Sequence, residues 1–473
     1  MTKKEAKSKA ALLKEKLIME PKNSGSVMSE KQLQKAFDFC EGYKKFLNSA
    51  KTEMESVDFV LSKLKKRGYT EFDPQKKYVA GDKVYVNNRG RALLFAVIGN
   101  KPLTDGVKII ASHIDCPRID LKSRPLYEES QLAMFKTHYY GGIRKYQWVA
   151  TPLALHGVII KKDGEPVPVV IGEDDNDPVL CINDLLPHLA REQNQRKLSE
   201  GIKGEELNVL VGSLPFKAEE NDKTKEKVKL NIMRLLNEKY GIVESDFLSA
   251  DLSLVPAFKT RDVGFDLSMM GGYGHDDRVC AYTSVMASLD VQKPESTWIN
   301  ILADKEETGS DGATGLDSRF LEYFVHDLAR PHGISGRYVL GRSECLSADV
   351  SVAYDPTFQD VTERRNTAYL NYGVCLVKYT GVRGKSGTSE ATAEFVGKIR
   401  RLLDENEIIW QTGELGKVDA GGGGTVAMYI AKLGANVVDI GVPVLSMHSP
   451  FEVVAKTDVY STYLAFKAFL AEK

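Results

Sequence analysis

The chain has 473 residues, 42% of them hydrophobic and 27% charged, an ordinary globular balance. Its 64 basic and 65 acidic residues leave a formal net charge of −1, which argues against nucleic acid as a partner, since such binders carry a basic face. No stretch approaches ~20 consecutive apolar residues, so no membrane span is expected. The beginning of the chain lacks an apolar signal core, and the six scattered cysteines form no Cys-x-x-Cys pair. Both features lead us to expect a cytoplasmic protein with reduced thiols.

In chain order, residues 1–22 are rich in Lys, Glu and Ala, with Leu12, Leu13, Leu17 and Ile18 at helical spacing, before Pro21 and a Ser/Gly stretch break the pattern. Residues 1–30 thus read as an amphipathic arm suited to docking on a neighbouring subunit. Residues 30–67 read as two helices, with apolar stripes at Phe37, Cys40, Tyr43 and Leu47 and at Val57, Val60, Leu61 and Leu64, the second stopped by Gly68. Strand patterns follow at 83–86, 92–97 and 107–111. From about 125 to 260 the character changes to short strands and turns over 127–157 and 158–171, then a lysine-rich, solvated stretch at 217–229. We read 125–260 as an inserted β-rich domain acting as a lid or dimer contact, inside a catalytic domain made of 31–124 and 261–473. After 260, helices are expected at 277–289, 318–330, 390–403 and 458–472, and strands at 298–303, 336–340, 346–353 and 435–447. Strands alternating with helices predict an α/β fold with a mixed, largely parallel sheet flanked by helices.

Chemistry-bearing residues recur where these strands end. His113 closes an apolar run, and Asp115 two residues on shares its face; a carboxylate there can accept the second imidazole N–H. His448 follows another apolar run, and strand C-terminal ends are where open α/β sheets hold their sites. Glu306 and Glu307 stand just after the 298–303 run; alone, such a pair is a solvated turn. Asp276 and Asp277 open a helix, where an acidic residue serves equally well as a cap. Asp349 lies in a strand-like stretch where Asp is disfavoured. Two histidines and four carboxylates (His113, Asp276, Glu306, Glu307, Asp349, His448) are the donors and base a two-metal site needs. Mixed His and carboxylate ligation without thiolate suits Zn, Mn or Co. The segment Gly421-Gly422-Gly423-Gly424-Thr425 lacks the Gly-Lys-Ser/Thr of a phosphate loop and allows close backbone approach.

The order His-x-Asp, Asp-Asp-Arg, Asp-x-Glu-Glu-x-Gly-Ser, Ser-Ala-Asp and Met-His-Ser resembles the aspartyl aminopeptidase family, which includes vacuolar aminopeptidase I, from about residue 34 onward and with Tyr140-Gly141-Gly142 included. The resemblance implies a phosphorylase/hydrolase-like metallopeptidase domain, two divalent metal ions, zinc first among them, and release of the N-terminal residue from peptides. It implies His113 with Asp349 on one metal, Glu307 with His448 on the other, Asp276 bridging in preference to Asp277, Glu306 as general base and Asp115 orienting His113. Gly422 and Gly423 would approach the peptide. Lys378 stands where the family carries a basic residue for an acidic substrate side chain, which favours N-terminal Asp or Glu. Asp355 stands where acidic-specific members carry His, and a carboxylate there favours a neutral or basic first residue instead. A homo-oligomer, a dodecamer built of dimers, is implied by the same likeness. The competing readings are a metallo-carboxypeptidase or N-deacylase on a related fold, and an inactive shell protein, whose mark would be loss of Glu306 or a ligand.

Overall fold

The computed structural model describes residues 7–473; the first six residues of the expected arm lie outside the described residues. A mixed nine-stranded sheet runs through the centre of the molecule. Its middle is four parallel neighbours: Trp298–Ala303, Lys108–His113, Glu344–Ser347 and Asn436–Gly441. Ala92–Val97 flanks them antiparallel on one side and Val374–Val377 on the other. The first two middle strands are buried along their whole length. This explains why both are largely apolar, because helices cover both faces. Within each strand the faces alternate. Trp298, Leu302 and Ile110 pack into the core beneath helices Glu30–Ser49, His275–Asp290, Ala393–Glu405 and Lys456–Ala471. Ile299, Ile301, Ile109 and Ala111 pack against helices Phe320–Ala329 and Ala427–Ala431. Because the four strands run the same way, their carboxyl ends share one edge of the sheet, and the registers pair Ala303 with His113 and Ala111 with Ser347.

A second, seven-stranded sheet is antiparallel throughout and is built from Arg118–Glu129, Leu132–Tyr140, Leu153–Ile160, Pro166–Ile171, Cys181–Ile182, Val209–Gly212 and Ala250–Pro256. It has its own apolar core, closed by helix Lys227–Tyr240. That helix begins inside the lysine-rich stretch expected to be solvated. A five-stranded sheet joins Met269–Gly272 to Glu452–Ala455.

The two early helices begin where their capping boxes place them. Ser29 and Thr52 each accept a backbone N–H three residues on, while Gln32 and Glu55 reach back. The arm forms helix Lys9–Leu17 capped by Ser8, with none of its residues buried and Leu12, Leu13, Leu17 and Ile18 exposed. One expectation is corrected: 336–340 is not a strand but the helix Gly336–Leu340. Its Tyr-Val-Leu run looks strand-like, yet Gly336 lies so close to helix Phe320–Ala329 that a Cβ there would come within 2.6 Å of the His326 backbone. Packing overrides the local preference.

Candidate metal centre

The shared sheet edge gathers the predicted residues. His113 is the last residue of its strand. Asp304 follows the next strand and leads into a single helical turn, Glu306–Thr308. Asp349 falls in the gap between strands Glu344–Ser347 and Ser351–Val352. His448 follows strand Pro443–Leu445. Asp276 and Asp277 come from the opposite side, in the first turn of helix His275–Asp290. Arg278, fully buried, donates to the carbonyls of Gly274, Tyr273 and Ala50 and so ties down the chain before them.

Asp276 lies between the two histidines. Its Oδ1 is 3.3 Å from His113 Nε2 and its Oδ2 is 3.2 Å from His448 Nε2. Glu306 and Asp349 face the His113 ring, at 3.8 and 3.9 Å from Nε2. Glu307 lies 3.5 Å from His448 Nε2. Three ligand sets have donor atoms within 4.8 Å of one another: His113, Asp277 and Asp349; His113, Glu306 and Glu307; Asp276, Glu307 and His448. Asp277 differs from Asp276 in its setting. It accepts the backbone N–H of His113 at 3.4 Å and faces Asp349 rather than His448.

The electrostatics of this cluster are unbalanced. Burial, chiefly, pushes the carboxyls of Glu307, Asp349 and Asp277 well above the usual carboxylate range, and Glu306 up to about 7, with neighbouring carboxylates adding to the effect. Asp276 is the exception: burial works against its charge, but the two imidazoles outweigh it and hold the pKa down. Asp276 Oδ1, Asp277 Oδ1 and Glu307 Oε1 are buried with no hydrogen-bond donor aligned on them. Buried acceptors left without partners are costly, and a cluster of carboxylates repels itself unless cations are present. Hard oxygen donors with two imidazole nitrogens and no thiolate fit a divalent metal such as zinc.

Glu452, which sequence reasoning did not single out, holds this cluster together with Asp115, expected to orient His113, and with Tyr140 and Gly142, seen in the sequence only within the family likeness. Glu452 is buried; its Oε1 accepts the His448 backbone N–H at 2.7 Å and its Oε2 that of Asp276 at 3.1 Å. The available signal was a lone acidic residue in an apolar strand, Glu452-Val453-Val454. Tyr140, from the antiparallel sheet, donates its hydroxyl to Asp115 Oδ2 at 2.8 Å, and the Gly142 carbonyl accepts from His448 Nδ1 at 3.0 Å. Asp115 faces the His113 ring through both its backbone carbonyl (3.0 Å) and its Oδ1 (3.3 Å), and it accepts the backbone N–H groups of Glu306 and Glu307.

The expected substrate residues lie in the chain around 355–425. Lys378, half exposed, follows strand Val374–Val377 and stands 3.7 Å from Glu390. Asp355 spends an oxygen capping a short helical turn, accepting the Thr357 N–H at 2.8 Å. Gly422 and Gly423 are not a free loop: they pair antiparallel with Val382 and Gly381. Gly422 adopts a φ of +140°, and a Cβ there would fall 2.5 Å from the Gly381 carbonyl. Thr425 anchors the segment by donating to Asp439 at 2.7 Å.

An α/β sheet whose strand ends gather two histidines, one of them buried, and a group of largely buried carboxylates is the frame of a metal-dependent hydrolase. The model of the aminopeptidase I zinc metalloprotease (M18) family matches residues 46–470. A "Probable M18 family aminopeptidase 1" of Clostridium acetobutylicum is 50% identical over 462 residues, covering 96% of this chain and 99% of that protein. The crystal structure of an M18 family aminopeptidase from Thermotoga maritima is similar with a TM-score of 0.90 at 42% identity, covering 96% of this chain and 100% of that one. An S. cerevisiae mApe1 dodecamer has the same fold, with a TM-score of 0.74 at 20% identity over 94% of this chain and 98% of that one. The chain belongs to the M18 family of zinc metalloproteases and is a metalloaminopeptidase, a peptide hydrolase.

Proposed function

We propose that this aminopeptidase works as a dinuclear enzyme, with His113 and Asp349 on one divalent cation, Glu307 and His448 on the other, and Asp276 shared between them. The observation that carries this reading is the aim of Asp276, one oxygen toward each histidine ring. When bound, two cations, zinc before Mn or Co, would make a water acidic and polarise the scissile carbonyl. Glu306 takes the proton of the attacking water and returns it to the leaving amine; its pKa, raised by burial and by Asp276 and Asp115 to about 7, lies in the working range of a general base. Asp115 holds the His113 ring in place and, through two backbone N–H groups, fixes the turn that presents Glu306. The chain keeps Glu306 and every expected donor, which speaks against an inactive shell protein.

The preferred first residue is acidic in this reading, held by Lys378, with Gly422 and Gly423 approaching the peptide backbone. The half-exposed Lys378, 3.7 Å from Glu390, and the use of Asp355 as a helix cap support it; the second reading, a neutral or basic preference, rests on a carboxylate residue, Asp355, standing where acidic-specific members carry His. We further propose that residues 125–260 form an inserted lid and dimer contact, that the protein is a cytoplasmic homo-oligomer, and that twelve subunits assemble as in the S. cerevisiae dodecamer. The insert's exposed Leu185, Leu186, Leu189 and Leu214 support an oligomer, and among the described residues no helix is long and apolar enough to cross a membrane. The test is hydrolysis of matched peptides beginning with Asp, Glu, Leu or Lys, each with a free or acetylated N-terminus. Cleavage of the free peptides alone is expected, fastest for Asp and Glu. Equal cleavage of acetylated peptides would sink the reading, and a Lys or Leu optimum would overturn the acidic preference.

A further inference from the structure

We infer that the turn Tyr140-Gly141-Gly142, which belongs to the antiparallel sheet and not to the sheet that carries the metal-facing donors, is the common support of both histidines. The inference rests on the dinuclear reading above. At both rings Nδ1 faces a backbone carbonyl: Asp115 O for His113 and Gly142 O for His448, each at 3.0 Å. A carbonyl can only accept, so Nδ1 carries a hydrogen, and Nε2 is the nitrogen each ring turns toward the carboxylates and would offer to a metal. Gly142 supplies one of these acceptors directly. Tyr140 acts on the other through Asp115, whose Oδ2 takes its hydroxyl at 2.8 Å.

The Tyr140 ring is itself fixed. The buried Arg118 guanidinium lies 4.2 Å over it and is bonded to Glu53 at 2.7 Å and Asp120 at 2.9 Å. The two glycines let the turn come this close. A Cβ on Gly142 would stand 3.3 Å from His448 Nδ1, and one on Gly141 3.3 Å from Glu307. One three-residue segment therefore reaches both cation positions, so the placement of the second sheet sets the aim of both rings. Tyr140 and Gly142 are positioning residues: they touch the rings, or a group that touches them, and not the substrate.

The test uses the full chain freed of metal and titrated with Zn2+ against a chromophoric chelator, with Co2+ absorption spectra as a second readout. Tyr140→Phe keeps the ring over Arg118 and removes only the hydroxyl. Gly142→Ala is compatible with that residue's backbone and presses only on His448. Wild type is expected to take two equivalents. Each variant should weaken one equivalent by about 10–100-fold, the range for loss of a group that orients a ligand, and shift the Co2+ spectrum. The double variant should weaken both. The metal-free proteins should melt at the same temperature, and Tyr139→Phe, one residue away and exposed, should change nothing. Two equivalents with wild-type affinities and spectra in both single variants, or equal weakening by Tyr139→Phe, would overturn the inference. Fewer than two equivalents in wild type would instead remove the dinuclear reading beneath it.

Discussion

Two of the charge clusters buried among the described residues are built on opposite rules. Where the antiparallel sheet meets the early helices, every ionic group has an opposite charge within 3.0 Å: Lys51 with Glu173, His156 with Glu55 and Glu173, Arg118 with Glu53 and Asp120. There burial raises the pKa of Glu55 but its bonds to His156 outweigh this and leave it lowered. At the strand ends, five carboxylates face two imidazoles, three of their oxygens find no donor, and Glu307 and Asp349 are pushed far up. Both clusters are rich in His and Glu, so composition does not separate them. Completion does: the first is satisfied by the chain itself, and the second holds more carboxylates than the chain supplies partners for, which the proposed cations would complete.

Substitutions can break that contrast. The largest effect is expected at Glu306→Gln, which should lower kcat by about 10²–10⁴-fold, the usual worth of a positioned acid–base group, while metal content measured by mass spectrometry stays at the wild-type value. Normal turnover by this variant would remove Glu306 from its role. Next, Lys51→Met leaves buried charge at Glu173 short of a partner and should cost about 3 kcal/mol in urea unfolding, with metal stoichiometry unchanged. Loss of metal in this variant would erase the distinction between the two clusters. Third, Zn2+ at about 100 times its Kd should stabilise wild type over the metal-free protein by about 2.7 kcal/mol for each site filled. Asp276→Asn should lose most of that gain.

The smallest effect is a pH dependence in the satisfied cluster. Burial lowers the His156 pKa, but Glu173 and Glu55 outweigh this and raise it. A raised folded-state pKa means that the stabilisation is complete below the ordinary His value of about 6.5 and is lost as pH rises through the folded value. The stability gap between wild type and His156→Gln, followed by thermal melts, should therefore be widest in mild acid and shrink on the alkaline side. A gap that widens with pH would reverse the assignment.

What could be read from the sequence follows from burial. The two middle strands Trp298–Ala303 and Lys108–His113 are covered on both faces and largely apolar, so the polar residues at their carboxyl ends, His113 and Asp304, stand out; His448 stands out likewise after the apolar strand Pro443–Leu445 of the five-stranded sheet. Asp349 stood out because Asp fits poorly in a strand. Tyr140 and Gly142 were visible only as part of a family likeness. Their contacts cross from the second sheet to residues far away in the chain, and no local periodicity reports such a meeting. Glu452 carries one charge in a short strand, a signal that a solvated residue would give equally well. The helix at Gly336–Leu340 was missed because packing against a neighbouring helix, made possible by Gly336, decides its form. The cap made by Asp355 was likewise hidden, since Asp before Pro fits either a turn or a substrate pocket.

Crystals of the full chain grown with Zn2+ and measured at the zinc absorption edge test the central claim most directly. Two anomalous peaks are predicted, about 3.5–4 Å apart with Asp276 between them, one beside His113 and Asp349 and the other beside Glu307 and His448. A single peak, or a pair bridged by Asp277 instead of Asp276, would contradict the account.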